Sequence, residues 1–600
     1  MSEISKNLLS GMKKEYSIAF VIIMITGLFF VTFSGSVFSG YHFMDCSDYI
    51  KWKQDLSEMS WIKCLLKHIE GEFGLRFRPA WQLNVFFKTL LWGDNMLLHG
   101  LWQIFLNIIT AFSIYLLGRN LRWTHYESLL FAGISLIGTQ SAVFYQTLAI
   151  ETTALFFLII SWLFMIKFYN CNNKLRKTLL YILFVILSIL AALMKENFIL
   201  ALPASYIMYC MLYDEKFNVG FNKAIANTLK TGIFFFLVTV VFLWAVLKFA
   251  GNDFVYSGLS SSTGFLSYLK SAGYLYIISG CVLAFVGFLY LFINKKTVIK
   301  EYLFPCLFFL LITVPQVIIY GKSNILDRYL IPAVVGCAFF SIFIYRELKK
   351  NDKPVNKFMW KNISLFLGIA AIIFFSLIVF GKTFQQEIIR FVVNLQGHEI
   401  RTMNSVSSLQ YLMNTLSIIG ITGLIIGFAL LLLGALRKNN FLNRISQLYI
   451  IGLILVLLMN SGLAFSSCKR YAMRGYATEN FLKTIIEHSH TDDTILIAGN
   501  PWVDMEAVTS GIYRYLQKQQ RQNLYIYPIT GNQREEELIP WIKDYYNQKD
   551  IYAIDSKEMI QIVAIFPGSE DVFITKNEWF NADLFSKYEF TGNFVVYVRK

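Results

Sequence analysis

Runs of about 20 predominantly apolar residues recur along most of this chain, and each is long enough for a helix to cross the hydrocarbon core of a bilayer. They fall near residues 17–39, 96–118, 127–145, 151–169, 178–194, 197–213, 231–249, 272–293, 302–320, 329–345, 362–381, 413–435 and 446–464. In lipid every backbone N–H and C=O must find its partner inside the protein, so runs of this length read as helices. The expected fold is a polytopic α-helical membrane protein with about 13 spans. Charged residues make up only 16% of the 600 residues, which argues against a soluble multidomain enzyme and against a disordered chain. The first run lacks a small-residue cleavage site and reads as a signal anchor.

Lysine and arginine exceed aspartate and glutamate by 15. In a membrane protein that surplus points to anionic headgroups rather than to nucleic acid. Placing the N-terminus (Lys6, Lys13, Lys14) in the cytoplasm puts the other basic loops on the same side. These carry Arg119 and Arg122, then Lys174, Arg176 and Lys177, then Lys216, Lys223 and Lys230, then Lys295, Lys296 and Lys300, then Arg346 to Lys361, and finally Arg437, Lys438 and Arg444. The expectation is a multi-pass protein of the plasma (inner) membrane, N-terminus cytoplasmic and C-terminus outside.

Two domains are expected: a transmembrane domain over 1–464, with a large outer loop at 40–95, and an extracytoplasmic α/β domain over 465–600. The tail holds 18 of the 39 acidic residues. Its strand candidates are Thr494–Ala498, Leu524–Pro528, Ile551–Asp555, Ile560–Phe566 and Val572–Thr575, with helices near 502–519 and 534–547 and a closing pair over Tyr588–Val598. No phosphate-cradling glycine motif follows a strand, so no nucleotide is assigned to it.

The outer loop carries the chemistry candidates. Asp45 and Asp48 lie just past the first span, with Tyr49 beside them. They read either as a general base at the membrane surface or as solvated loop acids. Trp52, Leu56, Met59, Ile62, Leu66 and Ile69 recur at spacings of three and four, which predicts an amphipathic helix lying in the outer interface. Arg76 and Arg78 follow, and Pro79 suits the first turn of a helix over 79–91. A guanidinium fork matches phosphate oxygens, but arginines at this level also snorkel. Lys195-Glu196-Asn197, Asp327-Arg328-Tyr329 and Glu151 place further charges at outside ends of spans. Such charges are costly unless paired or functional, and the alternative is a set of polar turns. Cys46 and Cys64 could be bridged in an oxidising compartment. Cys64 with His68 is half a metal site and reads as a polar helix edge, and His488 with His490 reads as a solvated helix end.

Five segments, in order, resemble GT-C glycosyltransferases, above all the protein O-mannosyltransferases, their TPR-bearing transmembrane relatives and the lipid A aminoarabinose transferases. Asp45-Cys46-Ser47-Asp48-Tyr49 is similar to the Asp-Glu-x-x-Tyr pattern after the family's first span, with Cys46 where a second acid is usual. Arg78-Pro79 before an aromatic helix resembles an RPL segment, and His99 to Leu117, with Asn107, resembles the second span. Met194-Lys195-Glu196-Asn197 with Pro203 resembles an SKE…P segment, and Arg328-Tyr329-Leu330-Ile331-Pro332 resembles an RYLxP segment. The likeness covers about 1–345; residues 346–464 match by topology alone. The tail has no 34-residue repeat and resembles the aminoarabinose-transferase plan.

The resemblance implies transfer of a sugar from a polyprenyl-phosphate carrier to a glycan, lipid or protein acceptor, with inversion at the anomeric carbon. Asp45 is then the base, with Asp48 as the other acid; Arg76, Arg78, Lys195 and Arg328 are donor-phosphate ligands; Tyr49, Glu151, Glu196 and Tyr329 are neighbours in the same site. No cofactor is implied, and nothing in the motifs requires a metal. The partners implied are the lipid-linked donor, membrane lipids and the acceptor, with no nucleic acid. Two other classes stay open on the sequence. One is a transporter or flippase, against which the chain shows no matching halves. The other is an inactive accessory protein with the same fold, which the Cys46 departure would suit.

Overall fold

The computed structural model describes residues 3–73, 77–138, 140, 150–249, 281–294, 299–320, 327–350, 445–499, 510–528, 560–565, 570–577, 579–590 and 594–600. The helices are α1 (Glu3–Ser34), α2 (Phe43–Glu58), α3 (Trp61–Phe73), α4 (Pro79–Trp92), α5 (Met96–Asn120), α6 (His125–Leu136), α7 (Ile150–Asn170), α8 (Lys174–Met194), α9 (Glu196–Ile199), α10 (Ala201–Phe217), α11 (Phe221–Phe249), α12 (Cys281–Asn294), α13 (Ile299–Tyr320), α14 (Ile331–Lys350), α15 (Ile445–Glu487), α16 (Ser510–Lys518) and α17 (Glu570–Lys576).

Among the described residues, seven helical stretches are long and apolar enough to cross a membrane: Lys14–Ser34, Met96–Asn120, Ile150–Asn170, Lys174–Met194, Phe221–Val246, Arg328–Lys350 (α14 with the 3-10 turn before it) and Tyr449–Glu487. Leu283–Phe292 and Tyr302–Gln316 are shorter apolar helices. Of the remaining expected spans, 362–381 and 413–435 lie outside the described residues, as does most of the second half of 127–145, where α6 ends at Leu136. The expected span 197–213 is divided at Leu200 between α9 and α10. Outward faces are greasy: Ile25, Phe29 and Phe33 on α1 and Phe236, Val241 and Trp244 on α11 are all exposed. Such bands are stable only against lipid tails. Inside the bundle, hydroxyls and rings satisfy one another, as where Trp162 Nε1 donates to Ser205 Oγ at 2.8 Å and Ser188 Oγ to Ser161 Oγ at 3.2 Å. Small polar residues allow close helix packing in lipid. The protein is a polytopic helical membrane protein.

Local chemistry fixes the helix ends. Thr124 and Glu127 form a capping box at the start of α6, an arrangement typically worth about 1 kcal/mol. Pro79 opens α4, and Gly93, at φ 57°, ends it in a backbone region that disfavours a side chain. The predicted single amphipathic helix over 52–69 is two helices. Met59 adopts an extended backbone at the end of α2, and the chain restarts at Trp61. The apolar stripe is buried at Trp52 on α2, while on α3 Ile62 and Leu66 are exposed. The acidic pair also sits on the first turns of α2, not in a loop.

The last helix departs most from expectation. The hydropathy signal ends near 464, yet α15 continues as one 43-residue helix to Glu487. Its polar half leaves the apolar zone and becomes part of the C-terminal α/β unit. There a five-stranded sheet has order β2-β1-β3-β5-β4, with β1 Thr494–Gly499, β2 Leu524–Pro528, β3 Ile560–Ile565, β4 Phe585–Phe590 and β5 Phe594–Arg599. β1 runs parallel to β2 and β3, and β5 is antiparallel to β3 and β4. Ile495 sits opposite Leu524 and Ile562, and Ile562 opposite Val598, so one apolar face is continuous across the strands. The expected strand Val572–Thr575 is instead helix α17, with Glu570 and Asp571 in its first turn and Phe573 buried against the other sheet face. The expected strand Ile551–Asp555 and helix 534–547 lie outside the described residues.

Candidate functional site

The charged ends of five segments meet at one end of the helix bundle. Arg78 occupies the N-cap of α4, Glu151 the first turn of α7, Lys195 the extended link between α8 and α9, Glu196 the start of α9, and Arg328 and Tyr329 a 3-10 turn over Asp327–Leu330 before α14. Lys195 Nζ lies 3.5 Å from Glu151 Oε1, and Arg328 Nε lies 3.8 Å from the same oxygen. Arg78 Nε lies 3.7 Å from Glu196 Oε1. The Lys195 ammonium sits 4.7 Å from the centre of the Tyr329 ring, and the Arg328 guanidinium 5.5 Å.

Neighbouring polar groups hold this arrangement. Asn197 Nδ2 donates to the Tyr329 carbonyl at 2.9 Å, and Gln316 Nε2 donates to the Asn197 carbonyl. Thr152 Oγ1 donates to Gln103 Oε1 at 2.8 Å, tying α7 to α5. Lys195 is 3% exposed and Glu151 1%, so these charges face a low dielectric. Among the described residues the cluster brings together three cations and two carboxylates. At 3.5–3.8 Å the pairs are looser than charge-assisted hydrogen bonds of about 2.7–2.9 Å. Such a cluster can accept an oxyanion.

The acids of the outer loop lie elsewhere on α2. Asp48 is exposed, and Arg514 Nη1 of α16 stands 3.7 Å away, so Asp48 faces the α/β unit. The Asp45 backbone is in the first turn of α2; its side chain, like Arg76, lies outside the described residues. Tyr49 stacks on His99 of α5, ring centres 3.7 Å apart. Cys46 is buried among Tyr41, Ile50, Phe481, Ile485, Ile512 and Leu516, where α2 meets α15 and α16. A second carboxylate there would be desolvated without compensation, which accounts physically for a cysteine. Cys64 is also a free thiol, in the separate transmembrane core.

Two salt-bridge centres fasten the loop. Asp94 is shared by Lys53 Nζ of α2, at 2.7 Å, and by Lys518 of α16. Burial works against its ionisation, but the hydrogen bonds from Lys518 and Lys53 hold the carboxyl below the usual carboxylate range. Asp55 accepts from Lys67 at 2.9 Å and bonds His68 at 2.7 Å, while Trp52 stacks on His68. Burial again opposes ionisation of Asp55, and the two hydrogen bonds override it. Burial pushes His68 down to about 4 despite that carboxylate. His68 therefore pairs with Asp55 and not with Cys64.

One buried charge went unnoticed in the sequence. Lys88 sits mid-way along α4, 3% exposed, with no hydrogen-bond partner for its ammonium among the described residues. Burial alone pushes it down to about 7. The available signal was a lone lysine inside the apolar run Val85-Phe86-Phe87-Lys88-Thr89-Leu90-Leu91.

This fold, a helical bundle capped by interfacial helices and an α/β unit, is similar to that of a solved membrane protein. The particular likeness is to ArnT from Cupriavidus metallidurans. Its apo structure matches with TM-score 0.51 at 12% identity, covering 98% of each chain. The same protein bound to undecaprenyl phosphate matches with TM-score 0.51 at 12% identity, covering 96% of this chain and 97% of that one. At this identity the likeness is one of fold. No protein-family model matches the sequence.

Proposed function

We propose that this chain is a membrane glycosyltransferase that moves a sugar from a polyprenyl-phosphate carrier to a cell-envelope acceptor, a glycan, lipid or protein, on the outer face of the inner membrane. The observation that carries the reading is the meeting of buried Arg78 and Lys195 with the half-buried Arg328, in a fold shared with a structure bound to undecaprenyl phosphate. A leaving polyprenyl phosphate gains charge as its bond to the sugar breaks, and prearranged cations in a water-poor site stabilise that charge. Glu151 and Glu196 lie against these cations, and the Tyr329 ring packs against Lys195 and Arg328. Asp45, on the first turn of α2, takes the proton of the attacking acceptor oxygen as it displaces the phosphate, inverting the anomeric carbon. No metal step is needed for this displacement.

Orientation supports the same reading. Arg119 pairs with Glu15, and Arg346 and Lys349 with Glu127, at the bundle end carrying the basic loops. By the positive-inside rule that end is cytoplasmic. The N-terminus then lies inside, and the Arg78 cluster and the α/β unit lie outside. About 13 spans in all would satisfy this arrangement.

The test is binding of undecaprenyl phosphate to purified protein, followed by native mass spectrometry. Arg78→Ala and Lys195→Ala should each weaken it roughly ten- to hundred-fold, the usual scale for a lost charge-assisted contact. Wild-type affinity in both variants would remove the phosphate role.

A further inference from the structure

A second group of buried polar atoms lies between α4 and α5, away from the Arg78 cluster. Asn84, Lys88 and Trp92 stand at intervals of four on α4 and so share one face. Trp92 meets α5 through His99, ring centres 5.5 Å apart, and through Trp102, 5.4 Å apart. His99 Nε2 stands 3.0 Å from the Gly93 carbonyl, so it is the nitrogen that donates, and Nδ1 is left to take or lose a proton. Among the described residues, four polar atoms here are buried with no hydrogen-bond partner: Asn84 Nδ2, Lys88 Nζ, His99 Nδ1 and Trp102 Nε1. Lys88 and Asp94 are both within Coulombic reach of His99, and Asp94 is already bound by Lys53 and Lys518.

A buried ammonium or donor left without a partner is costly, so such a set is rarely left idle. Three are donors, the fourth becomes one on protonation, and none of the four carries negative charge. The group that satisfies all of them is an oxyanion. Lys88 follows Arg78 by ten residues on one helix, or about 15 Å along its axis, too far for a single phosphate to serve both. Tyr49, stacked on His99, puts this group beside α2, the helix that bears Asp45.

We propose that Asn84, Lys88, His99 and Trp102 form a second oxyanion subsite, which takes a phosphate-type group carried by the acceptor or by a neighbouring lipid headgroup. The assignment to an acceptor rests on the transferase reading; the oxyanion chemistry does not. Bound there, the anion draws protons onto Lys88 and His99 and orients its bearer alongside α2.

The test uses full-length protein in phosphatidylcholine nanodiscs, with thermal unfolding followed at rising methyl phosphate. The wild type should be stabilised. Lys88→Met keeps the length of the side chain without its charge, and should weaken the response roughly ten- to hundred-fold. Arg78→Ala should keep it. A parallel arm replaces methyl phosphate with phosphatidylglycerol in the disc; a Lys88-dependent rise in that arm alone assigns the site to lipid headgroups. If Lys88→Met does not fold, Trp102→Phe decides, since it deletes one N–H and should weaken the response by about two- to tenfold. No response of the wild type in either arm, or an unchanged response in the variants, overturns the subsite. Loss of undecaprenyl phosphate binding by the wild type would instead overturn the transferase reading and leave the Lys88 result standing.

Discussion

Glu151 offers the sharpest test of how the buried charges are balanced. It is 1% exposed and lies 3.5 Å from Lys195 Nζ and 3.8 Å from Arg328 Nε. Glu151→Gln keeps the shape and removes the charge, so Lys195 and Arg328 lose the carboxylate between them. Removing one partner of a buried pair costs about 3–5 kcal/mol. The pairs are longer than hydrogen bonds and Arg328 is 27% exposed, so about 2–3 kcal/mol is the expected loss. The variant should therefore unfold at a lower temperature in nanodiscs, read by tryptophan fluorescence. Undecaprenyl phosphate should restore more stability to the variant than to the wild type, because its phosphate replaces the missing carboxylate. An ordinary structural glutamate would give the loss without the enhanced rescue. Unfolding at the wild-type temperature, with an equal effect of the lipid, would refute the charge-balance argument.

Three further outcomes are expected. Lys88 titrates near 7 when folded and near 10.4 when unfolded, so the unfolded chain holds the extra proton between those values. Wild-type stability should rise relative to Lys88→Met by about 2 kcal/mol from pH 7 to pH 9, and parallel profiles would contradict the burial. A reporter fused after Lys600 should be active only outside the cytoplasm, and one after Lys350 only inside; the reverse pattern would invert the site's placement. Charge reversal at Asp94 (Asp94→Lys) should loosen the α/β unit from α2 and increase protease cutting there, and adding Lys518→Asp should restore part of the protection. Equal cutting in all three proteins would show that this bridge does not hold the unit.

Hydropathy made much of the bundle legible because lipid imposes one rule on every span, and helices α5, α7 and α8 lie close to where the apolar runs place them. It failed where the solvent changes along one helix: α15 continues past 464 because a helix leaving the bilayer stays helical when its polar half finds the sheet and α2 to pack on. It failed again at Val572–Thr575, where a β-branched and aromatic run suggested a strand, but the two acids ahead of it favour a helix start. The charged residues at outside ends were visible one by one. Their meeting was not, since Arg78 and Arg328 are 250 residues apart and only packing joins them. Cys46 resembled a broken motif in one dimension, and in three it is core between α2 and α16.

The central claim is a sugar transfer driven from a polyprenyl-phosphate donor, with Asp45 as base. The most direct measurement is the release of polyprenyl phosphate and the labelling of envelope acceptors when purified protein in proteoliposomes meets radiolabelled polyprenyl-phosphate sugars. The wild type should release the carrier and label an acceptor, Asp45→Asn should fall by roughly 10²–10⁴-fold at unchanged protein level, and Asp48→Asn should cost much less. A wild type no faster than Asp45→Asn with every donor offered would contradict the account.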